Sequence, residues 1–121
     1  MSQSKEDYVK FIYEAGQGQT VSNKEIAAGL NIAPPSVSEM ISKLSAEGLV
    51  EYKPYHGGKL TEKGLAMAKE IIRKHEIWEY FLEHKLHYNA IEVHELAEVL
   101  EHVTPVDLAD RLADYISYPE V

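Results

Sequence analysis

The chain has 121 residues, 45% of them hydrophobic and 26% charged, a composition typical of a folded globular protein with one or two small domains. It has no cysteine, which excludes disulfides, iron–sulfur ligation and thiolate zinc sites, so any metal must take nitrogen and oxygen ligands. It also has no apolar run long enough for a membrane span and no signal-peptide pattern in "MSQSKEDY", so we expect a cytoplasmic protein without a membrane partner.

The first half of the chain predicts three helices. Apolar residues at helical spacing predict a helix over Lys5–Ala15. Ser22, followed three residues later by a glutamate, is typical of a capping box that begins a short helix over Asn23–Leu30. The two prolines of "NIAPP" prevent that helix from continuing, and Pro35 is well placed as the first residue of a third helix, which ends at Gly48.

A hairpin and three further helices are predicted after Gly48. Leu49–Tyr52 and Lys59–Thr61 bracket the turn "KPYHGG" and predict a β-hairpin. A long helix follows over about Glu62–Lys85, then one from Ala90 to about Val103 and one opened by Thr104-Pro105 that runs to about Ser117. Thr61 and Asn89 are the expected caps of the first two of these helices, and Val93, Leu96, Ala97 and Leu100 form the stripe expected to face a core.

The order of these elements is that of a winged helix-turn-helix followed by a helical region, and so predicts a mainly α fold with a small β-hairpin wing. A tight turn holds two helices at a steep angle, which lets the second enter a DNA major groove. A generic small α-bundle with a hairpin is the alternative. The distribution of charge also differs between the two halves of the chain. Residues 1–64 carry 7 basic and 8 acidic residues, and residues 65–121 carry 5 basic and 12 acidic residues.

The second half concentrates histidine and carboxylate side chains at helical spacing. His94, Glu98, Glu101 and His102 share one helix stripe, and His75 and Glu79 form an i, i+4 pair on the long helix. Together with Asp7 on the first helix, these side chains indicate a metal site that three helices build. The mixed donor set favours Mn²⁺ or Fe²⁺, with Zn²⁺ as a further candidate. The alternative is a solvated acidic surface that binds no ion.

No nucleophile elbow, phosphate loop or HExxH motif occurs, so we expect no enzymatic activity. A metal hydrolase is the enzyme class that the histidines and glutamates leave open, and it would show turnover without DNA.

Five segments in order resemble the diphtheria toxin repressor family, and within it the manganese-responsive regulators of metal transport. These segments are "KEDYVKFIYE", "SNKEIAAGLNIAPPSVSEMISKLSAEGLV", "LTEKG", "RKHEIWEYFLEH" and "VHELAEVLEHV", which span nearly the whole chain. The resemblance implies a winged helix-turn-helix DNA-binding domain over 1–64 and a helical metal-binding and dimerisation domain over 65–121. It also implies a homodimeric repressor of metal-uptake genes that binds palindromic operator DNA when loaded with metal.

The resemblance also implies roles for single residues. Asp7, Glu98, Glu101 and His102 match the family's central metal site, and His75, Glu79 and His94 match ancillary ligand positions. The iron-responsive branch has methionine and cysteine at the positions of Asp7 and Glu98, and the carboxylates found here favour the harder Mn²⁺. Lys10 stands where the short manganese regulators have a second acidic ligand, so the resemblance does not imply a carboxylate-bridged ion pair. Longer members continue past "YPEV" into an SH3-like domain, so we expect either a natural short form or a truncated chain.

For DNA, we expect contacts from the first turns of the third helix and from the wing. Glu39 is suited to accept a hydrogen bond from cytosine, and the lysines are suited to phosphate. The expected contact residues are Pro35, Ser36, Ser38, Glu39, Lys43, Lys53 and Lys59. The metal would then favour the DNA-competent state because it binds that state more tightly. The main rival hypothesis is a winged-helix protein-interaction module without a metal switch.

Overall fold

The computed structural model of the protein describes residues 3–117, and its side chains from Lys5 onward. The segment "YPEV", at which longer family members continue, lies outside the described residues. The fold is mainly helical with one antiparallel two-stranded sheet, which confirms the predicted fold class. Its elements are α1 (Gln3–Gly16), α2 (Asn23–Leu30), α3 (Pro34–Ala46), β1 (Val50–Lys53), β2 (Gly57–Leu60), α4 (Glu62–His84), α5 (Ala90–Leu100) and α6 (Val106–Ile116).

The chain forms two compact units, residues 1–69 and 70–121, and the division falls within α4. The N-terminal unit contains α1, α2, α3, the hairpin and the first turns of α4. The C-terminal unit contains the rest of α4 with α5 and α6.

The core of the N-terminal unit is continuous and apolar. Val9 and Ile12 of α1 are buried with Val37, Ile41 and Leu44 of α3. The three α3 residues recur at helical spacing and so place one face of α3 against the core. Burial of this aliphatic surface supplies most of the free energy that holds α3 in place.

Local signals set the helix boundaries in this unit. The hydroxyl of Ser22 accepts from the backbone N–H of Glu25 at 3.0 Å, which confirms Ser22 as the N-cap of α2. Asn31 adopts a left-handed conformation (φ 56°) that ends α2. The third helix begins one residue earlier than predicted, at Pro34, because proline lacks the N–H that the first helical positions leave unpaired.

The hairpin, or wing, pairs β1 and β2 in the register Val50↔Leu60 to Lys53↔Gly57, close to the predicted strands. The sequence did not predict its third partner: Val21 exchanges two backbone hydrogen bonds with Gly58, at 2.8 and 3.0 Å. A Cβ atom at Gly57 would meet the carbonyl oxygen of Val21 at 2.0 Å, so only glycine allows this close approach.

In the C-terminal unit, Ile77 of α4 packs with Ala109, Ala113 and Ile116 of α6 in a small core. Asn89 caps α5 in a full capping box, as predicted for its N-terminus. The predicted extension of α5 to Val103 is wrong. Residues 101–103 form a turn in which the N–H groups of His102 and Val103 donate to the carbonyls three residues before them, because Pro105 is already the N-cap of the next helix and leaves too few residues to continue α5.

The apolar stripe predicted for α5 is only partly buried. Val93 and Ala97 face the core, whereas Leu96 is exposed and Leu100 is half-buried. Val99, on the same helix, is 58% exposed. Among the described residues, no helix combines the length and apolar character needed to cross a membrane.

Candidate metal centre and nucleic-acid interface

Six of the seven predicted metal ligands lie in the C-terminal unit, on two helices and the turn that follows them. His75 and Glu79 are one turn apart on α4, and His94 and Glu98 are one turn apart on α5. Glu101 is the C-cap residue of α5, and His102 follows it in the turn.

A first group joins α4 to α5 through His75, Glu79 and His94. The Nε2 atom of His75 lies 3.1 Å from a Glu79 carboxylate oxygen, and the Nδ1 atom of His94 lies 3.7 Å from the same oxygen. Ligands about 2.1–2.2 Å from one ion lie roughly 3.0–3.6 Å apart when adjacent. The group therefore fits a divalent cation held by two imidazoles and one carboxylate, and one atom of each residue lies within 4.8 Å of the others.

The other nitrogen of His75 faces the opposite way. His75 Nδ1 lies 2.6 Å from a Glu101 carboxylate oxygen, and both side chains are buried. This separation is too short for two ligands of one ion and fits a charge-assisted hydrogen bond. A neutral imidazole that donates through Nδ1 keeps its Nε2 lone pair directed toward Glu79, which is the arrangement of a metal-ligating histidine with a carboxylate partner.

Glu98 lies beside both of these groups. One of its oxygens is 3.5 Å from His94 Nε2 and 3.8 Å from His75 Nδ1. On the other side, Glu101 Oε2 is 3.4 Å from His102 Nε2, and the His102 side chain is buried. The six residues thus form one continuous polar cluster, and its buried end holds Glu101 with two imidazoles. Buried carboxylates need such partners, because an isolated charge is costly to remove from water.

A chain of hydrogen bonds fixes the turn that carries Glu101 and His102. The indole N–H of Trp78 donates to the Thr104 hydroxyl at 2.8 Å, and this hydroxyl donates to the carbonyl of Leu100 at 2.6 Å. Thr104 is buried, so these bonds are shielded from water. No local sequence pattern predicts this link, because the two side chains are 26 residues apart.

The seventh predicted ligand, Asp7, lies on α1 in the N-terminal unit. It lines a cavity of about 340 Å³ together with Tyr8 and with Ser36, Glu39 and Lys43 of α3. Burial raises the pKa of Tyr8 above its ordinary value of 10.0. Asp7 thus shares a cavity with three residues predicted for DNA contact, and its role as a metal ligand stays a prediction.

The predicted DNA residues mostly lie on an exposed face of the N-terminal unit. Pro35, Ser36, Ser38, Glu39 and Lys43 are exposed on α3. Glu39 and Lys43 form an i, i+4 ion pair at 3.6 Å, so Glu39 would have to leave this pair to bind cytosine.

The two predicted wing lysines differ in their surroundings. Lys53 is exposed at the end of β1. Lys59 is half-buried on β2, opposite Glu51, and lines a cavity with Ile12 and Leu65. The structure therefore favours Lys53 over Lys59 for phosphate contact.

Exposed apolar side chains are concentrated in the C-terminal unit, and the sequence predictions do not include them. Ile91 and Val99 lie two turns apart on α5 and are 74% and 58% exposed. On α6, Leu108 and Tyr115 are seven residues apart and also exposed. The sequence does contain an indication of this surface, because apolar residues occur on more than one face of α5. Such a concentration is typical of a protein–protein interface.

Two family models match the chain in succession. The model described as the iron-dependent repressor N-terminal DNA-binding domain matches residues 1–58, and the one described as the iron-dependent repressor metal-binding and dimerisation domain matches residues 61–121. The cluster of histidines and glutamates described above lies wholly within the second match.

Similar sequences and solved structures are consistent with both family models. An uncharacterised HTH-type transcriptional regulator of Methanocaldococcus jannaschii is 40% identical over 114 residues, which are 93% of this chain and 91% of the relative. The HTH-type transcriptional regulator MntR of Oceanobacillus iheyensis is 31% identical over 116 residues, 95% of this chain and 78% of the relative. The solved manganese regulator SloR is 43% identical with a TM-score of 0.81, and this chain covers 57% of its length.

Proposed function

The chain belongs to the iron-dependent repressor family, also called the diphtheria toxin repressor family, and from this premise we propose that it represses transcription by binding operator DNA as a homodimer when it holds a divalent metal. Its relatives are transcriptional regulators, which confirms that it is not an enzyme and excludes the hydrolase hypothesis. It spans just over half the length of the solved regulator SloR, so the activity of the whole protein is part of the proposal.

The metal-dependent part of this proposal depends on one observation: His75 lies between the carboxylates of Glu79 and Glu101. Its Nε2 atom faces Glu79 at 3.1 Å, and its Nδ1 atom faces Glu101 at 2.6 Å. A solvated acidic surface would leave such side chains in water, whereas here His75 and Glu101 are buried. Burial of a histidine among glutamates is expected of a site that a cation completes.

Mn²⁺ is the proposed ion, with Fe²⁺ and Zn²⁺ as its competitors. The described cluster offers three imidazoles and three carboxylates as donors, and the chain has no cysteine that could add a thiolate. Such ligands suit Mn²⁺ and Fe²⁺ better than soft ions. The solved relative SloR is described as a manganese regulator. Affinity alone does not identify the ion, because Mn²⁺ binds nitrogen and oxygen ligands most weakly in the divalent series.

For DNA, we propose that α3 enters the major groove. Its inward face is fixed by Val37, Ile41 and Leu44, each fully buried, and its outward face carries Ser36, Ser38 and Glu39 toward base edges. Lys43 and Lys53 are exposed and suited to phosphate. Because operator DNA lies in the cytoplasm of bacteria and archaea, we also propose a cytoplasmic location.

The homodimer is proposed to form through the exposed apolar residues of the C-terminal unit. Ile91, Val99 and Val103 present aliphatic surface that a soluble monomer rarely leaves in water at this density. Two identical patches are self-complementary about a two-fold axis, and a palindromic operator has the same symmetry.

The role of the ion is to favour the DNA-competent state. His75, Glu79 and His94 would hold the ion and so link α4 to α5, and the hydrogen bond between His75 and Glu101 would extend this constraint to the turn after α5. The ion also neutralises part of the acidic excess that opposes DNA phosphates. An ion shifts the equilibrium only by the difference between its affinities for the two states.

Selection of binding sites from a random-sequence duplex pool, with the Mn²⁺-loaded protein, tests the proposal. We expect enrichment of a palindromic sequence and, in titrations by fluorescence anisotropy, DNA binding that is lost on chelation of Mn²⁺. Sedimentation of the free protein should show a dimer. DNA affinity that does not change with Mn²⁺ would instead support a winged-helix interaction module without a metal switch.

A further inference from the structure

The tip of the wing contains a tyrosine in a backbone conformation that suits glycine or asparagine. The N–H of His56 donates to the carbonyl of Lys53 at 2.9 Å, which closes a turn with Pro54 and Tyr55 at its centre. Tyr55 has φ +68°, in the left-handed region. Proline followed by a left-handed residue is the pattern of a type II turn, in which that second position favours glycine or asparagine.

A left-handed conformation costs Tyr55 free energy, and no packing in the described part of the chain offsets this cost. The relative exposure of Tyr55 is 103%, so its ring and hydroxyl are surrounded by solvent. A large aromatic side chain in a left-handed conformation is uncommon and costs free energy. The fold of the wing therefore does not require Tyr55, and the turn would form at least as well with asparagine.

The strands of the wing pack against the helix that is proposed to enter DNA. Gly58 of β2 forms two backbone hydrogen bonds with Val21, and a Cβ atom added to it would lie 2.7 Å from a Val50 methyl and 3.6 Å from the side chain of Ile41 on α3. The hairpin thus packs directly on the buried face of α3. A partner that binds the exposed face of α3 would therefore also encounter the wing.

We propose that Tyr55 contacts the sugar–phosphate backbone of DNA bound to the N-terminal unit, and this inference rests on the proposed function. The phenol donates a hydrogen bond to a phosphate oxygen, and the ring packs on deoxyribose. The exposed Lys53 at the base of the same turn supplies positive charge, and no acidic residue lies between Lys53 and Leu60. These features suit a polyanion whose backbone also presents apolar sugar surface.

A backbone contact by a neutral side chain has two consequences that distinguish it from other contacts. It strengthens binding to every DNA sequence by the same factor, because it touches no base edge. It leaves the salt dependence of binding unchanged, because it neutralises no phosphate and releases no counterion. Loss of Lys53, in contrast, reduces the salt dependence.

The test compares Tyr55→Asn with Gln17→Asn as a matched control. Gln17 is also exposed and left-handed (φ 48°), but it lies in the loop after α1. Titrations use the Mn²⁺-loaded protein, a selected operator duplex and a random-sequence duplex, at several salt concentrations. We expect Tyr55→Asn to weaken binding to both duplexes by the same factor, about three- to tenfold, with an unchanged salt slope. Tyr55→Phe should show a smaller loss, and Gln17→Asn none.

Thermal unfolding completes the test, because neither asparagine variant should unfold at a lower temperature than the wild type. Wild-type affinity of Tyr55→Asn for both duplexes would overturn this inference and leave the proposed function standing. A loss confined to the operator duplex would also overturn it, since that result indicates base contact. Failure of the wild-type protein to bind either duplex would overturn the proposed function and this inference with it.

Discussion

The two units of the protein differ in how deeply their functional side chains are buried. In the N-terminal unit the core is apolar, and the polar residues of α3 and the wing lie on its surface. In the C-terminal unit, His75 and Glu101 are themselves buried. A change on α3 can therefore alter DNA affinity without altering stability, whereas a change in the cluster alters binding and packing together. Three single-site changes test this contrast.

The largest effect is expected from Glu101→Gln. The amide keeps the volume of the carboxylate and can still accept from His75, but it removes the negative charge next to two imidazoles. We expect Mn²⁺ affinity, measured by calorimetry, to fall on the order of 100-fold, and metal-dependent DNA binding to be lost. Glu95→Gln is the matched control, because Glu95 is an exposed carboxylate on the same helix. Equal Mn²⁺ affinities for the two variants would remove Glu101 from the site.

A smaller effect is expected from Thr104→Val, which removes the hydroxyl between Trp78 and Leu100 while keeping the side-chain shape. The indole N–H loses its partner, so the free energy of unfolding should fall by about 1–3 kcal/mol. Mn²⁺ affinity should fall about tenfold, because the turn that carries Glu101 and His102 is less well fixed. Trp78→Phe combined with Thr104→Val should cost less than the sum of the single changes, because that double variant leaves no unpaired indole N–H. Strict additivity would contradict the coupling.

The smallest effect is expected from Ser22→Ala in the N-terminal unit. It removes the cap that accepts from Glu25, so the free energy of unfolding should fall by about 1 kcal/mol. Circular dichroism in urea measures this loss. Mn²⁺ titration followed by the fluorescence of Trp78, the single tryptophan of the chain, should be unchanged. A changed Mn²⁺ affinity would show that the metal centre depends on the stability of the N-terminal unit, and would weaken the contrast between the units.

Local sequence signals predicted much of the fold because each acts over a few residues. Ser22 and Asn89 were identified as caps from spacing alone, and both caps form. Gly48 was identified as the end of the third helix, and it has the positive φ (76°) that glycine allows after a helix. The prediction fails where local signals compete: residues 101–103 have a helical pattern, but Pro105 is the N-cap of the next helix and α5 ends before them.

The candidate metal centre was predicted as a set of residues but not as an arrangement. Helical spacing placed His94 and Glu98 on one face of a helix, and His75 and Glu79 on another. It did not indicate which nitrogen of His75 faces which carboxylate, or that Val99 lies in solvent. These facts depend on how α4 packs beside α5, and no short-range pattern encodes that packing.

Residue types and their spacing are enough to predict the element order, the donor chemistry and the family, because they encode helix periodicity, caps and the absence of thiols. Three features required the folded structure: Val21 pairs with the wing, Trp78 and Thr104 fix the turn after α5, and Tyr55 is fully exposed. Each of these features joins or separates residues distant along the chain. Their energies come from burial and close approach in three dimensions, which a one-dimensional pattern does not measure.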